Sequence, residues 1–116
     1  MSKVTIYHNP RCSKSRATLA LLTERNIDPE IVLYLEDTPD KATLTDIIRM
    51  LGITPAELLR KGESAWREMN LAIEDLTDDA LVEAMVRKPV LIERPIVVHE
   101  GRAIIGRPPE QVLDIL

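Results

Sequence analysis

With 116 residues, 45% of them hydrophobic and 29% charged, the chain is long enough to pack one core without a metal or a disulfide to hold it. A net charge of −4 leaves no basic surplus for phosphate backbones, so nucleic acid is not an expected partner. One cysteine excludes an intramolecular disulfide and a cysteine-rich metal site; no apolar run approaches bilayer length and Met1-Ser2-Lys3 lacks a signal segment, so the expected setting is cytoplasmic, away from membranes.

Val4-Thr5-Ile6-Tyr7 is β-branched and aromatic, and reads as a strand. The stretch His8 to Arg16 follows, holding the sole cysteine, one of two histidines and the cations Arg11, Lys14 and Arg16. A helix comes next, with Ala17, Leu19, Ala20, Leu21 and Leu22 on its apolar face, fading near Asn26. Cys12 therefore falls where a strand turns into a helix N-terminus. Unpaired N–H groups and the positive end of the dipole favour a thiolate there. The three cations and a protonated His8 push the same way. An ordinary thiol, with a pKa of about 8.5, is only roughly 3% ionised at neutral pH, so lowering it multiplies the nucleophile. A lone cysteine taken by itself is more simply a small buried hydrophobe. Its place between a strand and a basic helix start favours chemistry instead.

Ile27-Asp28-Pro29 breaks the helix, and Ile31 to Leu35 reads as a second, buried strand. Strand, helix and strand in that order imply a right-handed crossover between parallel strands. Asp37 to Asp40 is a turn. Residues 43–87 form a helical block: Thr43 caps a helix that Gly52 closes, and Thr54-Pro55-Ala56-Glu57 is a capping box. Ser64 caps a segment through Met69, and Thr77 caps Asp78 to Arg87. Trp66 reads as a core anchor. Ile96-Val97-Val98 is a strand, Glu100-Gly101 a hairpin turn, and Arg102 to Ile105 the returning strand. Gly106 to Glu110 opens a last helix with Val112, Leu113 and Leu116 inward. The order is βαβ, helices, ββα: an α/β fold with a mixed four-stranded sheet, in one domain over 1–116 with a helical insertion at about 43–87.

Arg60, Arg94 and Arg107 each sit at a break in the pattern, before Lys61-Gly62, Pro95 and Pro108-Pro109. Any arginine alone is most simply a solvated charge. The βαβ–ββα order, however, places the Arg94-Pro95 turn and the Cys12 turn at one end of the sheet. Guanidinium groups gathered on a thiolate make a site for a tetrahedral oxyanion, through bidentate charge-assisted bonds.

The segments Ile6-Tyr7-His8-Asn9-Pro10, Cys12-x-x-Ser15-Arg16, Leu33-Tyr34-Leu35-Glu36, Leu58-Leu59-Arg60-Lys61, Arg94-Pro95-Ile96-Val97-Val98 and Arg107-Pro108 together resemble the glutaredoxin-coupled arsenate reductases of bacteria, over nearly the whole chain. The resemblance implies a thioredoxin-like fold with a helical insertion. It implies that Cys12 is the nucleophile, that His8 helps keep it ionised, and that Ser15 hydrogen-bonds the thiolate. Arg60, Arg94 and Arg107 become the oxyanion-binding residues, and Pro95 the cis-proline beside the site. No bound cofactor or metal is implied; arsenate or a similar oxyanion is the substrate, glutathione a co-substrate, and glutaredoxin a transient partner. Ser15 stands where a dithiol oxidoreductase carries its second cysteine, which fits an external thiol.

Two rivals remain at this point. A glutathione-linked monothiol oxidoreductase acting on another substrate would need no arginine triad. A regulator of the same fold that binds RNA polymerase would typically carry a Cys-x-x-Cys switch, which Cys12…Ser15 lacks.

Overall fold

The strand ahead of the cysteine, β1 (Thr5–Tyr7), lies inside a four-stranded sheet of order β2-β1-β3-β4 in the computed structural model, which describes residues 3–69 and 76–116. β2 (Glu30–Val32) runs parallel to β1, in register Ile6↔Ile31. β3 (Ile96–His99) is antiparallel to β1, with Tyr7↔Ile96, and β4 (Arg102–Ile105) is antiparallel to β3, with Ile96↔Ile105. The mixed sheet and the βαβ–ββα order are those expected. Glu100 and Gly101 turn the β3–β4 hairpin at φ 51° and 76°, the left-handed pair that a two-residue turn between twisted strands requires.

Packing divides the chain into two compact units, Met1–Asp37 with Arg94–Leu116, and Thr38–Glu93. The first holds the sheet, helix α1 (Ser13–Glu24) and a C-terminal 3₁₀ helix, Pro109–Ile115, which packs on α1 and β4. Its core joins Val4, Ile6, Leu22, Val97, Val112 and Ile115, with Leu19, Leu21, Ile27 and Ile104 partly buried around them. Each fully buried aliphatic side chain contributes about 1.5–3 kcal/mol over exposure.

Three local expectations are corrected in this unit. The second strand starts a residue early and ends at Val32, because the N–H groups of Glu36 and Asp37 both turn back to the Leu33 carbonyl. That run is not buried throughout: β2 is an edge strand paired with β1 alone among the described residues, and Ile31, Leu33 and Leu35 are 46%, 37% and 41% exposed while Tyr34 is buried. On α1 the buried stripe is Ser15, Thr18 and Leu22, whereas Ala17 and Ala20 face out. The C-terminal helix is 3₁₀, so residues three apart align; Val112 and Ile115 point in and Leu116 is 39% exposed.

The second unit carries α2 (Lys41–Leu51), α3 (Pro55–Leu58), α4 (Ser64–Met69) and α5 (Asp78–Arg87). It is a few residues wider at each end than the insertion expected at 43–87, and residues 70–75 of that block lie outside the described residues. The α2 cap is Asp40 rather than Thr43: its carboxylate accepts from the Thr43 N–H at 2.8 Å, and this bond holds it below the usual carboxylate range. Gly52 closes α2 at φ 70°. Thr54 and Glu57 form the expected capping box, Thr77 caps α5, and Trp66 is buried. A 3₁₀ turn, Pro89–Leu91, ends the unit, with Leu59 bridged to Ile92. Among the described residues no helix is long and apolar enough to cross a membrane.

Candidate active site

Strand register assembles the site. Pairing of Tyr7 with Ile96 sets the end of β1 beside the start of β3, and pairing of Ile96 with Ile105 adds the end of β4. The loop His8–Cys12, the Arg94-Pro95 segment and the Gly106-Arg107-Pro108 segment therefore leave the sheet at the same end. The Arg94–Pro95 peptide is cis, and so is Arg107–Pro108.

Asn9, which the sequence reading passed over, organises the loop through three bonds. Its carbonyl accepts from the Cys12 N–H at 3.0 Å, its side-chain oxygen from the Arg11 N–H at 3.0 Å, and its own N–H donates to Ser15 Oγ at 3.0 Å. An Asn-Pro pair is a turn initiator, which is the signal that was available. Ser15 Oγ also meets His8 Nδ1 at 2.7 Å, with both residues buried.

Cys12 occupies the N-cap position of α1 and is 9% exposed. As a thiol its side chain closes no cap bond on the helix. Ionised, it draws on donors from two directions. Burial pushes its pKa up; the Ser15 main-chain N–H, then the Arg94 guanidinium, then the Lys14 N–H outweigh that and bring it below the ordinary thiol value. Arg94 adds its charge as well. The cation acting on the sulfur is thus Arg94, remote in sequence, rather than the nearby cations Arg11, Lys14 and Arg16. Arg16 instead donates to the Pro10 carbonyl at 2.8 Å.

His8 and Ser15 stand close to Cys12 in sequence and are hydrogen-bonded to each other. Burial, and then the charge of Arg16, push the His8 pKa down, so at neutral pH the ring is uncharged. Its contribution is a hydrogen bond rather than a positive charge. The group of Ser15 that reaches the sulfur is its main-chain N–H, while its hydroxyl holds His8 and the Asn9 N–H.

Arg107 lies half-buried beside this cluster, its Nε donating to the Arg94 carbonyl at 3.1 Å. That bond fixes one edge of its guanidinium to the segment carrying Arg94. Arg60 belongs to the second unit. There its Nη1 donates to Glu93 at 2.6 Å, its Nε to Glu63 at 3.3 Å, and its main-chain N–H to the Leu91 carbonyl at 2.7 Å. Among the described residues no group of three or more His, Cys, Asp or Glu stands close enough to hold a metal ion.

A cysteine at a helix N-terminus, beside a cis-proline segment at the same end of a β2-β1-β3-β4 sheet, defines a thioredoxin-like fold. The chain belongs to the ArsC family, whose model matches residues 7–115. It is 57% identical over 115 residues to the Escherichia coli protein YfgD, covering 98% of this chain and 97% of that one. It is 44% identical to a Neisseria meningitidis arsenate reductase over the full length of both. Among solved structures, an arsenate reductase from Vibrio cholerae matches with a TM-score of 0.94 and 50% identity, over 98% of each chain.

Proposed function

We propose that this chain reduces arsenate to arsenite, with Cys12 as nucleophile and glutathione and glutaredoxin as reductants. The observation that carries the reading is the Arg94 guanidinium, carried to the cysteine end of the sheet by the β1–β3 register and acting to lower the Cys12 pKa, in a member of the ArsC family. A group that stabilises a thiolate is already aimed at the place where an attacked oxyanion gathers charge. Arg107, tied to the Arg94 main chain, supplies a second guanidinium, and Arg60 is the third by the family pattern.

The thiolate attacks arsenic and hydroxide leaves, giving a thiol–arsenate adduct. Glutathione displaces a second oxygen. A glutaredoxin thiolate then attacks the glutathione sulfur; a new S–S bond forms, and the electron pair of the broken As–S bond stays on arsenic, reducing As(V) to As(III). Water releases arsenite and frees Cys12. Two thiols thus supply two electrons, and no second cysteine is needed within the chain.

Arsenite formation from arsenate, glutathione and glutaredoxin tests this, with Cys12→Ser as control. The wild-type protein is expected to turn over, and the folded Cys12→Ser protein to be inactive. Turnover by Cys12→Ser removes Cys12 from the mechanism. Absence of arsenite with the wild type leaves a glutathione-linked oxidoreductase acting on another substrate.

A further inference from the structure

We propose that Gly106 is a positioning residue: its bare backbone lets the Arg94-Pro95 and Gly106-Arg107 segments close onto Thr18 of α1, and this contact sets the distance between the nucleophile and its guanidiniums. The inference deepens the reading above and rests on it only for the choice of Cys12 as nucleophile.

Space, rather than backbone conformation, demands glycine here. A Cβ at position 106 would stand 2.6 Å from Thr18 Oγ1, 2.9 Å from Pro95 Cγ and 3.3 Å from Thr18 Cγ2. Real side chains do not approach so closely, so something must give way. Thr18 is fully buried, and its hydroxyl is committed to the Lys14 carbonyl at 2.9 Å. It cannot rotate aside without releasing that bond. The Pro95 ring is buried too, and the Gly106 N–H donates to the Pro95 carbonyl at 2.9 Å.

Both walls of this contact lead to the sulfur. On one side, Thr18 lies on the helix whose Lys14 and Ser15 N–H groups act on Cys12. On the other, Pro95 follows Arg94, whose guanidinium acts on the same atom. The residue after Gly106 is Arg107, pinned to the Arg94 carbonyl. A methyl group at 106 therefore wedges the helix donors and the guanidinium donors apart. Thiol activation and oxyanion affinity fall together, whichever wall moves.

The test is the pH dependence of Cys12 alkylation in Gly106→Ala, in Gly106→Ala/Thr18→Ala, and in Val4→Ala as a destabilised control. Val4 is buried just ahead of β1, at the end of the strand away from the cysteine loop. In Gly106→Ala the titration is expected to move up in pH, with the alkylation rate near neutrality falling at least about three-fold. The double variant removes both Thr18 contacts but keeps Pro95, so its titration should lie between Gly106→Ala and wild type. Val4→Ala should melt earlier yet titrate as wild type. Where Gly106→Ala does not fold, the double variant carries the test, and a titration above wild type is expected of it.

A wild-type titration in the alanine variant that folds overturns the inference. So does an equal displacement in Val4→Ala, because the effect would then be general loosening. In the arsenate assay the KM for arsenate should rise along with the titration. An inactive wild type would remove the arsenate reading and leave the alkylation result to decide the role of Gly106.

Discussion

At the scale of single residues, the sulfur of Cys12 is set by a contest between burial, which favours the thiol, and donors, which favour the thiolate. The donors win, so the alkylation rate should rise through a midpoint below the ordinary thiol value and level off above it. The sign for stability follows: a thiol pKa lower in the fold than in the unfolded chain stabilises fully above the ordinary thiol value, and that contribution is lost as pH falls through the folded value. Arg94→Ala removes the only side-chain donor in the set while leaving burial and the helix N–H groups in place. Its titration should move up, and the KM for arsenate should rise several-fold. Alkylation kinetics that superimpose on wild type would take Arg94 away from the sulfur. Sequence proximity was misleading here, since three cations lie within four residues of Cys12 while the effective one follows 82 residues later. Linear distance counts bonds along the chain, and the antiparallel pairing of Tyr7 with Ile96 is what shortens the path.

Among the elements, those written in local chemistry were legible and those written in tertiary packing were not. The Thr54–Glu57 capping box, the Gly52 C-cap, the Thr77 cap and the Glu100-Gly101 hairpin each depend on residues within a few positions of one another. Thr54→Ala should accordingly cost about 1 kcal/mol of stability, read as a lower denaturation midpoint with an unchanged slope and unchanged thiol titration. No change in midpoint would mean that packing alone holds α3. Helix α1 went the other way. Its inward stripe begins with Ser15 and Thr18, both fully buried, where an apolar pattern reads Ala17 and Ala20. The polar face is used by the site: Ser15 holds His8 and Asn9, and Thr18 seats Gly106. Departure from hydrophobic periodicity in that helix coincides with the residues around the candidate site. On β2 the apolar run from Ile31 to Leu35 looked buried because composition does not tell an edge strand from a central one.

Taken as a whole molecule, the chain holds its nucleophile, the helix donors, Arg94 and Arg107 in one packed unit, and Arg60 in the other. Thiol activation and the oxyanion binding that the resemblance implies for Arg60 can therefore be probed separately. Activation of Cys12 uses groups of the first unit only, namely the N–H groups of Ser15 and Lys14 and the guanidinium of Arg94. Arg60 is shared between Glu63 and Glu93 in the second unit and is not among the groups that shift the Cys12 pKa. Arg60→Ala should therefore leave the alkylation titration where it is in wild type. Its ion pairs are partly buried, with the Arg60 side chain 24% exposed. Losing them should cost about 1–2 kcal/mol, between the values for exposed and buried pairs. The KM for arsenate should rise several-fold if Arg60 binds the oxyanion, giving a variant impaired in affinity with its thiol intact. Arg94→Ala is impaired in both. A KM equal to wild type in Arg60→Ala, alongside the stability loss, would make Arg60 an ion-pair residue of its own unit and leave the oxyanion to Arg94 and Arg107.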